Sequence, residues 1–76
     1  ENDKFNDYIM VSMRTAEGVN IDYLKQNFNP KFVSFFLKNI QSFMLSGHVE
    51  VYQSNFRLTD NGFIISDFII GKLIAV

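Results

Sequence analysis

Few residues in this sequence could carry chemistry, and His48 comes first among them because it is the single histidine. A histidine acts as a base or a haem ligand only where a pocket orients its ring. His48 begins a predicted strand, so we interpret it as a wall residue. The chain contains no cysteine, and one histidine cannot complete a four-ligand zinc site. We therefore expect no metal and no cofactor in this chain itself.

Arg14 is the charged residue with the clearest possible role in ligand binding, because a guanidinium group pairs bidentately with a carboxylate. The alternative is a local ion pair between Arg14 and Glu17 that closes the first helix onto the next turn. We favour this ion pair, since such pairs are common. Four of the aspartates are dispersed and mostly near predicted helix starts, where they favour the helix dipole; they are Asp7, Asp22, Asp60 and Asp67. We find no paired carboxylates and assign no catalytic residue.

The elements that position these residues belong to a chain of 76 residues, which we interpret as one domain over residues 1–76. A domain of this size buries only roughly 60% of the surface that its unfolded chain exposes. The formal net charge is −1, without the basic excess of a small nucleic-acid-binding module. Nine phenylalanines provide a large apolar area for so short a chain.

Targeting signals are not apparent in the sequence. Residues 63–76 are the most hydrophobic stretch, but Ser66, Asp67 and Lys72 interrupt it. It is also shorter than the roughly 20 residues that a transmembrane helix needs. The first residues are polar and acidic, unlike a signal peptide. The absence of an initiator Met indicates a piece cut from a longer protein, which we expect to be cytoplasmic.

The stretch from Asn29 to Gly47 is the best-marked helix of the chain. Asn29 is a suitable N-cap, Pro30 fits the first helical position, and Gly47 can close the end. One arc of the helix is apolar and is predicted to face the core; its members are Phe32, Val33, Phe36, Leu37, Ile40, Phe43 and Met44.

The remaining elements give a mainly α fold with a small β-hairpin. We predict a first helix over Lys4–Arg14 and a second over Ile21–Phe28, which begins after the N-cap Asn20. A hairpin is predicted over residues 48–58, with its turn at residues 53–55. A last helix is predicted over Asp60–Ala75, after the cap Thr59. Gly18 is predicted to have a positive φ, and Val19 to be extended. Three helices, a two-stranded wing and a C-terminal helix follow the order of a winged-helix domain.

Exposed apolar surface is the most informative feature of the pattern. Two large apolar residues fall on the polar side of the third helix, and the last helix is apolar on three faces, more than a small domain can cover. We predict a docking interface, formed by Phe35, Leu45, Ile65, Ile69 and Leu73. The alternatives are self-association and cover from the chain's own N-terminus.

Two motifs point to a family. Residues 6–18, which Val19 follows, resemble the pattern N-E-Y-I-M-x-S-L-R-T-x-E-G, and residues 57–67 resemble R-L-T-x-x-G-x-x-x-x-D. In this order and spacing the motifs resemble the C-terminal domain of the radical S-adenosylmethionine family that contains oxygen-independent coproporphyrinogen III oxidases and the related haem chaperones. The resemblance covers nearly the whole chain.

The resemblance implies a longer protein in which a partial (β/α) barrel holds a four-iron cluster on a CxxxCxxC loop and cleaves S-adenosylmethionine. Oxidase members convert two propionates of coproporphyrinogen to vinyls by oxidative decarboxylation, and chaperone members bind and deliver haem. This piece would then be an accessory domain that packs on the barrel and catalyses nothing alone. A tetrapyrrole would be a ligand of the parent protein, and Arg14 could grip one of its propionates.

Two rival functions stay open: a DNA-binding winged helix and a protein-interaction module unrelated to tetrapyrroles. A DNA-binding domain would present a basic face on its third helix. Only Lys31 and Lys38 lie there, next to uncharged side chains. We therefore expect no nucleic acid among the partners.

Overall fold

Five helices and three short strands make up residues 2–74, the part of the chain that the computed structural model describes. In chain order they are α1 (Asn2–Ser12), β1 (Val19–Asn20), α2 (Ile21–Asn27), α3 (Pro30–Leu45), β2 (Val49–Tyr52), β3 (Asn55–Leu58), α4 (Asp60–Ile64) and α5 (Ser66–Leu73). The predicted fold class, mainly helical with a small β-element, is confirmed. The winged-helix assignment stays a prediction, although the order of the elements agrees with it.

Side chains that accept hydrogen bonds from the first turn begin three of the helices, as the sequence predicts. Asn20 accepts from the amide of Tyr23 at 2.8 Å, and Asn29 from the amide of Lys31 at 2.9 Å. Thr59 accepts from the amide of Gly62 at 3.2 Å. Each bond satisfies a backbone donor that the helix itself leaves unpaired, which ties the helix start to one residue.

The sheet is antiparallel, with the strand order β1-β3-β2. Gln53 and Ser54 connect β2 to β3 with positive φ angles of 49° and 67°, which is the backbone of a tight two-residue hairpin. Asn55 was predicted to lie in the turn, but it belongs to β3, where it pairs with Tyr52. Val19 is extended, as predicted, and pairs with Phe56.

The core lies between the inner face of α3, the other helices and the sheet. Phe5 of α1 stacks on Phe32 of α3 with ring centroids 5.1 Å apart, and Phe36 meets Phe56 of β3 edge to face at 5.6 Å. The predicted inner arc of α3 is buried or half-buried apart from Met44, which is 38% exposed. Met44 lies in the last turn of α3, where fewer elements remain to cover it.

The C-terminal segment differs most from the prediction. It is two helices, because the backbone breaks at Ile65 with φ −117° and ψ 31°; Ala75 lies outside the described residues. α5 packs against α3 and α1, and this packing buries Ile69 and Leu73 completely. Both residues therefore belong to the core of the domain and are not exposed, in contrast to the sequence-based expectation for a docking interface. No helix among residues 2–74 is both long enough and apolar enough to cross a membrane.

Candidate docking surface

Arg14 and Asp67 form an ion pair that connects the end of α1 to the first turn of α5. Nη2 of Arg14 donates to Oδ1 of Asp67 at 2.8 Å, and Nη1 donates to the carbonyl oxygen of Met10 at 3.1 Å. The sequence predicted Glu17 as the partner of Arg14, but Arg14 pairs with Asp67 instead. The two side chains are 51% and 90% exposed, so water screens the pair strongly.

Three exposed apolar side chains lie within about one helical turn of this ion pair along the chain. Val11 precedes Arg14 by three residues, and Ile64 and Phe68 flank Asp67. Their exposures are 67%, 80% and 59%, far above those of core residues. We group these residues by their closeness to the ion pair along the chain and name them the α1–α5 face: Val11, Arg14, Ile64, Asp67 and Phe68. Arg14 follows α1 by two residues, and Ile64 is the last residue of α4.

Phe68 connects this face to α3. Its ring meets Phe43 edge to face with centroids 6.2 Å apart, and Nζ of Lys72 lies 5.5 Å from its centroid. Leu45, at the end of α3, is 90% exposed, and with Gln41 and Met44 it lines a shallow groove of about 200 Å³. Apolar side chains are therefore presented by both α5 and the end of α3.

The predicted interface residues have different positions in the fold. Leu45 is exposed, Phe35 and Ile65 are half-buried against the core, and Ile69 and Leu73 are inside it. Sequence reasoning did not select Val11, Ile64 or Phe68. The apolar periodicity of the last segment indicated several faces but carried no information on which of them α1 and α3 cover.

Two other grooves are lined by side chains that already contact one another. A groove of about 400 Å³ beside the hairpin includes Arg57, whose Nε donates to Glu50 at 2.7 Å and whose guanidinium lies 4.3 Å from the ring centroid of Tyr52. A second groove, of about 440 Å³, is bordered by Tyr8 and Tyr23, stacked at 4.7 Å. These contacts fix the side chains in place.

His48 is half-buried, and its Nδ1 lies 2.6 Å from Oγ of Ser46. The hydroxyl of Ser46 donates to the carbonyl oxygen of Phe43 at 3.1 Å, so it caps the end of α3. Among residues 2–74, no cluster of three or more histidine, aspartate or glutamate side chains could hold a metal ion.

The sequence of this chain matches the model of a known protein family. The model of the HemN C-terminal domain matches residues 1–65. This chain belongs to the HemN C-terminal domain family. The match includes the whole first motif and most of the second, and Asp67 lies two residues beyond it. No curated protein and no solved structure matches the chain in the corresponding comparisons.

The residues of this HemN C-terminal domain do not suit an iron–sulfur cluster. Such clusters are held by cysteine thiolates, and the sequence contains no cysteine. The features that distinguish the surface of the domain are instead exposed apolar side chains and an exposed ion pair. They are suited to recognition of another protein surface.

Proposed function

We propose that this HemN C-terminal domain is the accessory domain of a radical S-adenosylmethionine protein and that it packs on the catalytic barrel of that protein. The single observation that carries the proposal is the family match over residues 1–65. The barrel would bind the four-iron cluster and S-adenosylmethionine, and the domain would cover or shape its substrate side. The whole protein would act in the cytoplasm.

The α1–α5 face supports packing on another surface. Complete burial of a large aliphatic or aromatic side chain is worth about 1.5–3 kcal/mol, and Val11, Ile64 and Phe68 retain more than half of their accessible area. Contact with a barrel would remove that area from water. We infer that these three residues form the interface together with Leu45, which was among the interface residues predicted from the sequence.

The tetrapyrrole would be bound mainly by the catalytic domain. In an oxidase, the parent protein would decarboxylate two propionates of coproporphyrinogen oxidatively to vinyls, and in a chaperone it would bind and deliver haem. Contact between Arg14 and a propionate stays a prediction. Such contact would have to share a guanidinium group that already donates to Asp67.

Two measurements test the proposal. The gene upstream of this segment should encode a CxxxCxxC loop, and its absence would exclude the radical S-adenosylmethionine parent. In the full-length protein, Ile64→Glu should release the domain from the barrel and speed proteolysis of the segment that joins them. Val51→Glu is the matched control, because Val51 is 51% exposed on the hairpin. Release by Val51→Glu but not by Ile64→Glu would place docking on the hairpin.

A gel-shift experiment tests the DNA-binding alternative. Lys31, Ser34 and Lys38 are exposed on the outer face of α3, so this face presents two positive charges. Non-specific DNA binding depends on several phosphate contacts and weakens steeply with salt. We expect no retardation of duplex DNA at low salt, and a salt-sensitive shift would favour the DNA-binding function.

A further inference from the structure

We propose that the Arg14–Asp67 ion pair is part of the docking interface, and that Arg14 binds a carboxylate of the catalytic domain while Asp67 holds the guanidinium group in position. This inference rests on the proposed docking of the domain. The occupant is the preceding part of the same polypeptide, because the matched family model is that of a C-terminal domain.

The hydrogen bonds of Arg14 leave room for this acceptor. A guanidinium group has five N–H donors. Within residues 2–74, Arg14 uses Nη2 to bind Asp67 and Nη1 to bind Met10. The remaining donors belong to a side chain that is 51% exposed. A carboxylate is the acceptor that matches the geometry and the charge of this group best.

The surroundings of the pair indicate what docking requires. An exposed ion pair contributes little to stability, and each of Val11, Ile64 and Phe68 lies within three residues of one of its members along the chain. When a partner covers these apolar side chains, it also removes water from Arg14. Burial of a charged group is costly unless hydrogen bonds replace that water. The covering surface must therefore supply an acceptor.

The second ion pair of the described chain provides a contrast. Arg57 is bonded to Glu50 and lies over the ring of Tyr52, so the hairpin itself covers one face of its guanidinium group. Its side chain is 33% exposed, compared with 51% for Arg14. Exposed apolar side chains also adjoin this pair, with Val51 and Tyr52 each 51% exposed. The pair is therefore a matched control for a charge exchange on a different part of the surface.

Charge exchange within the full-length protein separates an internal role of the pair from an interface role. The variants are Arg14→Asp, Asp67→Arg and the double variant, with the double exchange Glu50→Arg and Arg57→Glu as control. The readout is the rate of proteolysis between the two domains, which follows the undocked fraction when opening is fast. Circular dichroism verifies that each variant is folded.

We expect the Arg14/Asp67 double variant to restore the internal ion pair but to be cleaved at least about tenfold faster than the wild type, because the partner's carboxylate then faces an aspartate. The control exchange should leave the rate unchanged. If the double variant were cleaved at the wild-type rate, the inference would be overturned, and the pair would act only inside the domain. If Ile64→Glu also left cleavage unchanged, the proposed docking surface itself would be wrong.

Discussion

Gly18 lies so close to the backbone of Phe56 that a side chain at this position would overlap the Phe56 carbonyl oxygen. Its φ is +78°, a backbone conformation that residues other than glycine rarely adopt. Nδ2 of Asn55 also donates to the carbonyl oxygen of Glu17 at 3.1 Å. The end of the first motif therefore packs against β3, at the start of the second motif.

Gly18→Ala should lower the free energy of unfolding by more than about 2 kcal/mol, because it adds the cost of a left-handed alanine to a backbone overlap. Chemical denaturation measures the change. Gly71→Ala is the control: no atom lies within 4 Å of the position of its Cβ, and alanine in a helix gains up to about 1 kcal/mol over glycine. Equal effects of the two substitutions would contradict this account.

Ile69→Glu should unfold the protein, because the side chain of Ile69 is fully buried and an unpaired buried charge costs several kcal/mol. Ile64→Glu introduces the same charge at a residue that is 80% exposed, and it should change the free energy of unfolding by less than about 0.5 kcal/mol. Circular dichroism with urea denaturation compares the two. A folded Ile69→Glu variant would place Ile69 outside the core.

Thr59→Ala should destabilise the protein by about 1 kcal/mol, since it removes the N-cap of α4. The same hydroxyl donates to the carbonyl oxygen of Gly47 at 2.7 Å, which connects the start of α4 to the end of α3. Thr59→Ser keeps the hydroxyl and should retain most of the stability. Urea denaturation measures both variants, and equal losses would mean that the methyl group of Thr59 is what matters.

Arg14→Ala should reduce the free energy of unfolding by less than about 1 kcal/mol, because both members of the Arg14–Asp67 pair are largely exposed. The small effect should shrink further at 1 M salt, where the screening length is only about 3 Å. Thermal unfolding at low and high salt provides the measurement. A loss of more than about 2 kcal/mol at both salt concentrations would show that the pair stabilises the fold itself.

Local chemistry explains why much of the fold could be predicted. The caps Asn20, Asn29 and Thr59 bond to amides two or three residues away, and Gly18 and Gly47 have the positive φ angles that their positions suggested. The family could also be predicted, because its motifs are continuous segments of the sequence. Interactions between residues a few positions apart depend on residue type and spacing, and both can be read from the sequence.

The docking surface depended on tertiary structure. Arg14 is paired with a residue 53 positions away and not with nearby Glu17, since the end of α1 lies beside the start of α5. The break at Ile65 and the packing of α5 on α3 and α1 bury Ile69 and Leu73 but leave Ile64 and Phe68 in water. When a segment is apolar on several faces, its sequence pattern does not show which face is buried. The helices packed against it determine which face remains exposed and free to bind another surface.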